Sequence, residues 1–102
     1  MAKIVKKEHV MEMYDAILNL KTREECLAFF EDLASPTELS AMEQRFAVAT
    51  LLMQDKVYLE ILEQTNASTA TISRVKRMLQ SGTGCMSEVI SRMAGEGDKH
   101  DS

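Results

Sequence analysis

No glycine occurs between residues 1 and 81, and that interval also holds the chain's single proline, Pro36. The four glycines are Gly82, Gly84, Gly95 and Gly97. A β-rich domain reverses direction every few residues, and its turns draw heavily on glycine and proline. A long glycine-free segment can become compact only as helices, joined by turns that other residues make. The expected fold class is therefore all-α.

Apolar periodicity and capping residues divide the chain into helices. Val10, Met13, Tyr14, Ile17 and Leu18 recur at three- and four-residue steps, which predicts a first helix over about Lys7 to Leu20. Thr22, with Glu25 three residues on, forms a capping box that opens a second helix running to about Ala34. In "SPTE", Ser35 is the N-cap, Pro36 takes the first helical position and Glu38 closes the box. The helix it starts carries Leu39, Met42, Phe46, Ala49 and Met53 and ends near Gln54 or Asp55. Two short helices follow, at about Val57 to Gln64 and Thr69 to Gln80, separated by "TNAS". A last helix spans about Met86 to Met93. The residues divide into a helical domain over 1–93 and a disordered tail over 94–102, where hydrophobicity is low.

The stretch "NASTATISRVKRML", residues 66–79, stands apart in charge. The chain has 12 Lys and Arg against 16 Asp and Glu, a net charge of −4, yet residues 64–87 contain no acid at all. On a helical wheel Ile72, Val75 and Leu79 share one side, with Thr71 and Met78 flanking. The opposite side carries Thr69, Ser73, Lys76 and Gln80, beside Ala70, Arg74 and Arg77. A helix so divided buries one face and shows a basic one, with small residues toward its N-terminus. Small side chains permit close approach to base edges in a major groove. Hydroxyls can donate or accept there, and Ala70 can meet a thymine methyl. Arg74, Lys76 and Arg77 can neutralise phosphates, and a helix N-terminus favours a phosphate.

Asn66 falls in the turn between the two short helices, where a left-handed residue is needed; asparagine tolerates that conformation better than most. Ile61, Ala67, Ile72 and Val75 then occupy the positions at which two crossing helices would pack, while Leu62 is larger than the residue usual at its place. The expected motif is a helix–turn–helix over about 57–80. Its DNA-binding candidates are Thr69, Ala70, Ser73, Arg74, Lys76, Arg77 and Tyr58. The plainer alternative is an amphipathic helix whose Lys and Arg are simply solvated.

"ATISR", residues 70–74, resembles the start of the recognition helix in the tryptophan repressor family. The likeness extends upstream through "SPTELSAMEQRFAVATLLM" to Ser35, including Arg45, and the pattern is similar to the YerC/YecD-type repressor-like subgroup. The resemblance implies a six-helix fold in which two chains intertwine as a dimer. It implies a helix–turn–helix built by the fourth and fifth helices, with Thr69, Ala70 and Ser73 facing bases. It also implies that Arg45 and Arg74 lie near a corepressor pocket or the DNA backbone; the ligand-site candidates are Ser35, Arg45 and Arg74. A glycine beside the family's ligand is matched here by Val75, and a ligand-contacting serine by Met78. Larger apolar side chains at both places imply that the protein fills this pocket itself and that tryptophan is not the effector.

The residues add their own argument for a homodimer. The first two helices carry broad apolar stripes that one chain of 102 residues would not cover, and the eight methionines suit an adaptable interface. A monomeric bundle is the alternative.

Other chemistry finds no footing. His9 and His100 lack neighbouring ligands for a metal, and no cofactor is expected. Glu24 and Glu25 open a helix, where acids suit its dipole. Gly82 and Gly84 are too few for a phosphate-cradling loop. Cys26 and Cys85 form no CxxC pair and read as free thiols of a reducing cytosol. No stretch approaches the ~20 apolar residues that span a bilayer, and "KIVKK" at residues 3–7 is a basic arm or a solubilising segment. The expectation is a cytoplasmic, non-enzymatic transcriptional regulator, a repressor, binding double-stranded DNA as a homodimer. A sensor of a non-tryptophan small molecule and an interaction protein using the basic face are the alternatives.

Overall fold

The computed structural model describes residues 8–101, with side chains to residue 95. The basic segment at residues 3–7 and the side chain of His100 lie outside the described residues. Among the described residues there are six helices and no strand: α1 Met11–Leu18, α2 Arg23–Leu33, α3 Pro36–Met53, α4 Tyr58–Thr65, α5 Thr69–Ser81 and α6 Cys85–Asp101. The fold is all-α. The residues expected as one helical domain group into two compact units divided between Leu39 and Ser40, and α3 begins in the first and continues through the second.

In the first unit the helix starts follow local hydrogen bonding. Thr22 Oγ1 accepts from the Glu25 N–H at 3.0 Å, while the Glu25 carboxylate accepts from the Lys21 N–H at 2.7 Å, one residue before the N-cap. At α3 the box is fully reciprocal: the Ser35 N–H donates to Glu38 Oε1 at 2.8 Å, and the Glu38 N–H donates to Ser35 Oγ at 3.1 Å. Those bonds from Ser35, the backbone one first, hold the exposed Glu38 carboxyl below the usual glutamate range. Neither α1 nor α2 contains a buried residue, and Leu18 and Leu33 are 84 % and 54 % exposed.

The second unit holds the core. Val48 and Ala49 from α3, Ile61 from α4, Ala67 from the turn, Ile72 and Val75 from α5 and Ile90 from α6 are buried together. Leu51, Leu52, Met53, Leu62, Met78, Leu79 and Met86 pack around them. Burying a branched side chain of this size contributes about 1.5–3 kcal/mol, so Val48, Ile61, Ile72 and Val75 set the crossing of α3, α4 and α5.

The helix ends in this unit are also local. Asp55 takes φ 60°, the Asp55 N–H donates to the Leu52 carbonyl, and the Lys56 N–H donates to the Leu51 carbonyl. This is a Schellman closure with aspartate where glycine is usual. After α5, a Cβ added to Gly82 would lie 2.6 Å from the Met78 carbonyl oxygen, and Gly84 has φ +89°. These two positions require glycine. The last helix runs on through Asp101, past the Met93 at which the apolar pattern stops. Met93 marks the end of the apolar face and not of the helix: no proline or β-branched residue follows it, and two glycines cost only about 1 kcal/mol each.

Candidate nucleic-acid interface

The motif is built from α4, the turn at 66–68 and α5. Glu60 in the first turn of α4 suits the helix dipole there. The helix ends where Asn66 enters the left-handed region, at φ 58° and ψ 21°, and the Asn66 N–H still reaches the Leu62 carbonyl at 2.9 Å. Thr65 Oγ1 donates to the Ile61 carbonyl at 2.7 Å and accepts from the Ala67 N–H at 3.2 Å. Gln44 Nε2 donates to the Thr65 carbonyl at 3.1 Å, tying α3 to the end of α4.

Helix α5 then starts at a capped terminus. Ser68 Oγ accepts from the Thr71 N–H at 3.1 Å, and its hydroxyl donates to Thr71 Oγ1. Part of the hydroxyl cluster at the front of this segment therefore serves the helix itself. Ala67 is 2 % exposed, Ile61 and Ile72 0 % and Val75 1 %, so all four expected packing positions are buried. Leu62 is half-buried against the same core, so its extra size is accommodated at the edge of the cluster.

With that face buried, the other points outward. Thr69, Ala70, Arg74, Lys76 and Arg77 are exposed, and Ser73 is half-buried. Tyr58, the first residue of α4, is 39 % exposed, and its hydroxyl oxygen lies 3.3 Å from Ser73 Oγ. Among the described residues the one ion pair is Arg92 with Glu88, so no described carboxylate pairs with the α5 cations. Their charge is available to an external anion.

The ligand candidates fall in both units. Ser35 lies in the first unit, where its hydroxyl and amide serve the α3 capping box. Arg45 and Arg74 come together in the second unit, on a groove of about 460 Å³ lined also by Met42, Phe46, Val75, Met78 and Met86. Val75 and Met78 were expected to fill this place. Both line this groove, Val75 from the buried core and Met78 from its edge.

Two interactions escaped the sequence reading: the Tyr58–Ser73 approach and the Gln44–Thr65 tie join residues 15 and 21 positions apart, with no local signal. The Ser68 cap had one, a serine just before an apolar-periodic run. Among the described residues no group of three or more His, Cys, Asp or Glu converges. Cys26 and Cys85 are both free.

Two short helices crossed over a shared core, with a left-handed turn and an outward basic second helix, define a helix–turn–helix protein of the all-α class. The model of the Trp repressor protein family matches residues 8–94, and the chain belongs to that family of regulators. It is 42 % identical over 82 residues to the uncharacterized protein YerC of Bacillus subtilis, covering 80 % of this chain and 79 % of that one. Two crystal structures are close in fold. A TrpR-like protein from Eubacterium eligens has a TM-score of 0.80 at 44 % identity, covering 83 % of this chain and 88 % of that one. A candidate Trp repressor from Staphylococcus aureus has a TM-score of 0.80 at 45 % identity, covering 83 % and 85 %.

Proposed function

We propose that this chain is a sequence-specific DNA-binding transcriptional repressor, acting as a homodimer through α4 and α5. The observation that carries the reading is the division of α5: Ile72 and Val75 are buried, while Arg74, Lys76 and Arg77 stand exposed on an acid-free segment. The three cations bind phosphates and set affinity. Thr69, Ala70 and Ser73 meet base edges and set sequence preference. Tyr58 flanks them from the start of α4. Membership of the Trp repressor family supports the sign of regulation, and no catalytic role is assigned.

The dimer rests on uncovered apolar surface. Leu18, Leu27 and Leu33 of the first unit are 84 %, 47 % and 54 % exposed, and Phe46 and Met93 of the second are 39 % and 56 % exposed. A two-fold dimer sets two α5 helices ~34 Å apart, one turn of DNA, and reads a near-palindromic site. No described helix is long and apolar enough to cross a membrane.

The test is selection of bound duplexes from a random pool, followed by sequencing, with sedimentation to measure mass. Enrichment of a palindromic motif by a species of twice the chain mass is expected. Enrichment of no motif refutes the reading and favours an interaction protein whose basic face meets an acidic partner.

The groove at Arg45 and Arg74 supports a second role as a small-molecule sensor. Its only ionisable lining groups are the two guanidiniums, on otherwise apolar walls. Such a site favours an anion with an apolar body. Val75 and Met78 on its wall are larger than the glycine and serine that the family resemblance places beside the ligand, so tryptophan is not the proposed effector. Calorimetric titration should show no saturable micromolar binding of tryptophan, and a thermal-shift screen of apolar carboxylic acids tests for the effector class.

A further inference from the structure

Tyr58 and Ser73 come from different helices of the motif, yet their hydroxyl oxygens lie 3.3 Å apart at the surface, and either can be the donor. We propose that Tyr58 is a positioning residue for base selection, which sets the hydroxyl of Ser73 so that the two act as one recognition unit. The inference rests on the DNA-binding reading of α5 and deepens it.

The argument is one of donors and acceptors. Each hydroxyl has one O–H and two lone pairs. A hydrogen bond between the two consumes one O–H and one lone pair, so the pair presents a single free O–H to an incoming group. When Tyr58 donates, the free O–H belongs to Ser73; when Ser73 donates, it belongs to Tyr58. A lone serine would rotate freely and accept or donate with little preference. The paired serine has one of its bonding directions biased toward Tyr58 before DNA arrives.

The distance suits exchange. A strong O–H···O bond measures about 2.7–2.8 Å, so a 3.3 Å pair is weak and its proton can be redirected toward a base at small cost. Burial supports the same role. Ser73 is half-buried and Tyr58 keeps 39 % of its surface exposed, so both residues remain accessible to an incoming group. Thr69 and Ala70, one turn earlier on α5, are fully on the exposed side and have no such partner among the described residues. Ser73 is thus the one member of the expected base-facing set whose hydroxyl is oriented by a second helix.

The experiment compares wild type, Tyr58→Phe, Ser73→Ala and the double variant by selection from random duplexes. Phenylalanine keeps the ring and removes only the hydroxyl. The expected result is a change of about three- to tenfold in relative preference at one base position for each single variant, the scale of a neutral hydrogen bond. The same position should respond in both, and the double variant should add little. The salt dependence of binding and the melting temperature should stay close to wild type.

Preference unaltered by Tyr58→Phe overturns the inference while leaving the DNA-binding reading intact. So does an effect that adds to that of Ser73→Ala, or a loss spread evenly over all sequences, which would mark Tyr58 as a phosphate contact. Failure of wild type to enrich any motif removes both.

Discussion

Replacing Arg77 by alanine isolates the electrostatic part of the proposed DNA contact. Arg77 is exposed on α5, and the one ion pair among the described residues is Arg92 with Glu88. Its loss therefore uncovers no unpaired acid and disturbs no core residue. Arg74, Lys76 and Arg77 make three cations per chain, six in a two-fold dimer. Each phosphate neutralised contributes about −0.9 to the slope of log K against log salt, so wild type should show a slope of about −5.4. Removing Arg77 from both chains deletes two contacts and brings the slope to about −3.6. Over a fourfold rise in salt, wild type should lose about 10³-fold in affinity and the variant about 10²-fold. Fluorescence anisotropy on one selected duplex, at several concentrations between about 50 and 200 mM salt, measures both slopes. The reasoning fails if the slope is unchanged, because the guanidinium then touches no phosphate. It also fails if the loss is confined to sequences differing at one base pair, since a phosphate contact weakens all sequences alike.

Ile72→Ala should lower unfolding free energy by about 2–5 kcal/mol in a denaturant titration, because Ile72 is 0 % exposed at the centre of the helix crossing; a loss under about 1 kcal/mol would place the core elsewhere. At Asn66, with φ 58°, glycine should leave stability nearly unchanged, whereas valine should cost at least about 1–2 kcal/mol by thermal or chemical unfolding. Hydrogen bonds from Ser35 depress the Glu38 pKa in the folded state, so that group's stabilisation is present above the unfolded glutamate pKa and is lost as pH falls through the lower folded value. The melting temperature of wild type should therefore exceed that of Glu38→Gln near neutral pH and converge on it in acid; a constant gap would dissociate the effect from ionisation.

The sequence alone settled whatever is decided within one turn of helix. Absence of glycine over residues 1–81 specified a helical class, because no other compact arrangement dispenses with glycine turns so completely. The Ser35–Glu38 box was legible because both partners lie three residues apart, within reach as soon as the first turn forms. Asn66 could be placed in the left-handed region because its tolerance of that conformation is intrinsic to the residue. The two faces of α5 followed from a 3.6-residue period, and Ile72 and Val75 are indeed buried while Arg74 and Lys76 are not.

Boundaries were less legible. The apolar pattern stops at Met93 although α6 continues to Asp101, since a pattern reports burial and a helix needs only its backbone bonds. Asp55 carries a Schellman closure that its identity did not announce. What the tertiary structure decided was every approach between helices. The crossing of α4 and α5 brings Tyr58 to Ser73, and that of α3 and α4 brings Gln44 to Thr65. The packing of α3 against α5 brings Arg45 and Arg74 onto one groove. Those distances depend on how buried side chains interlock, a property of the packed core as a whole that no window of neighbouring residues contains.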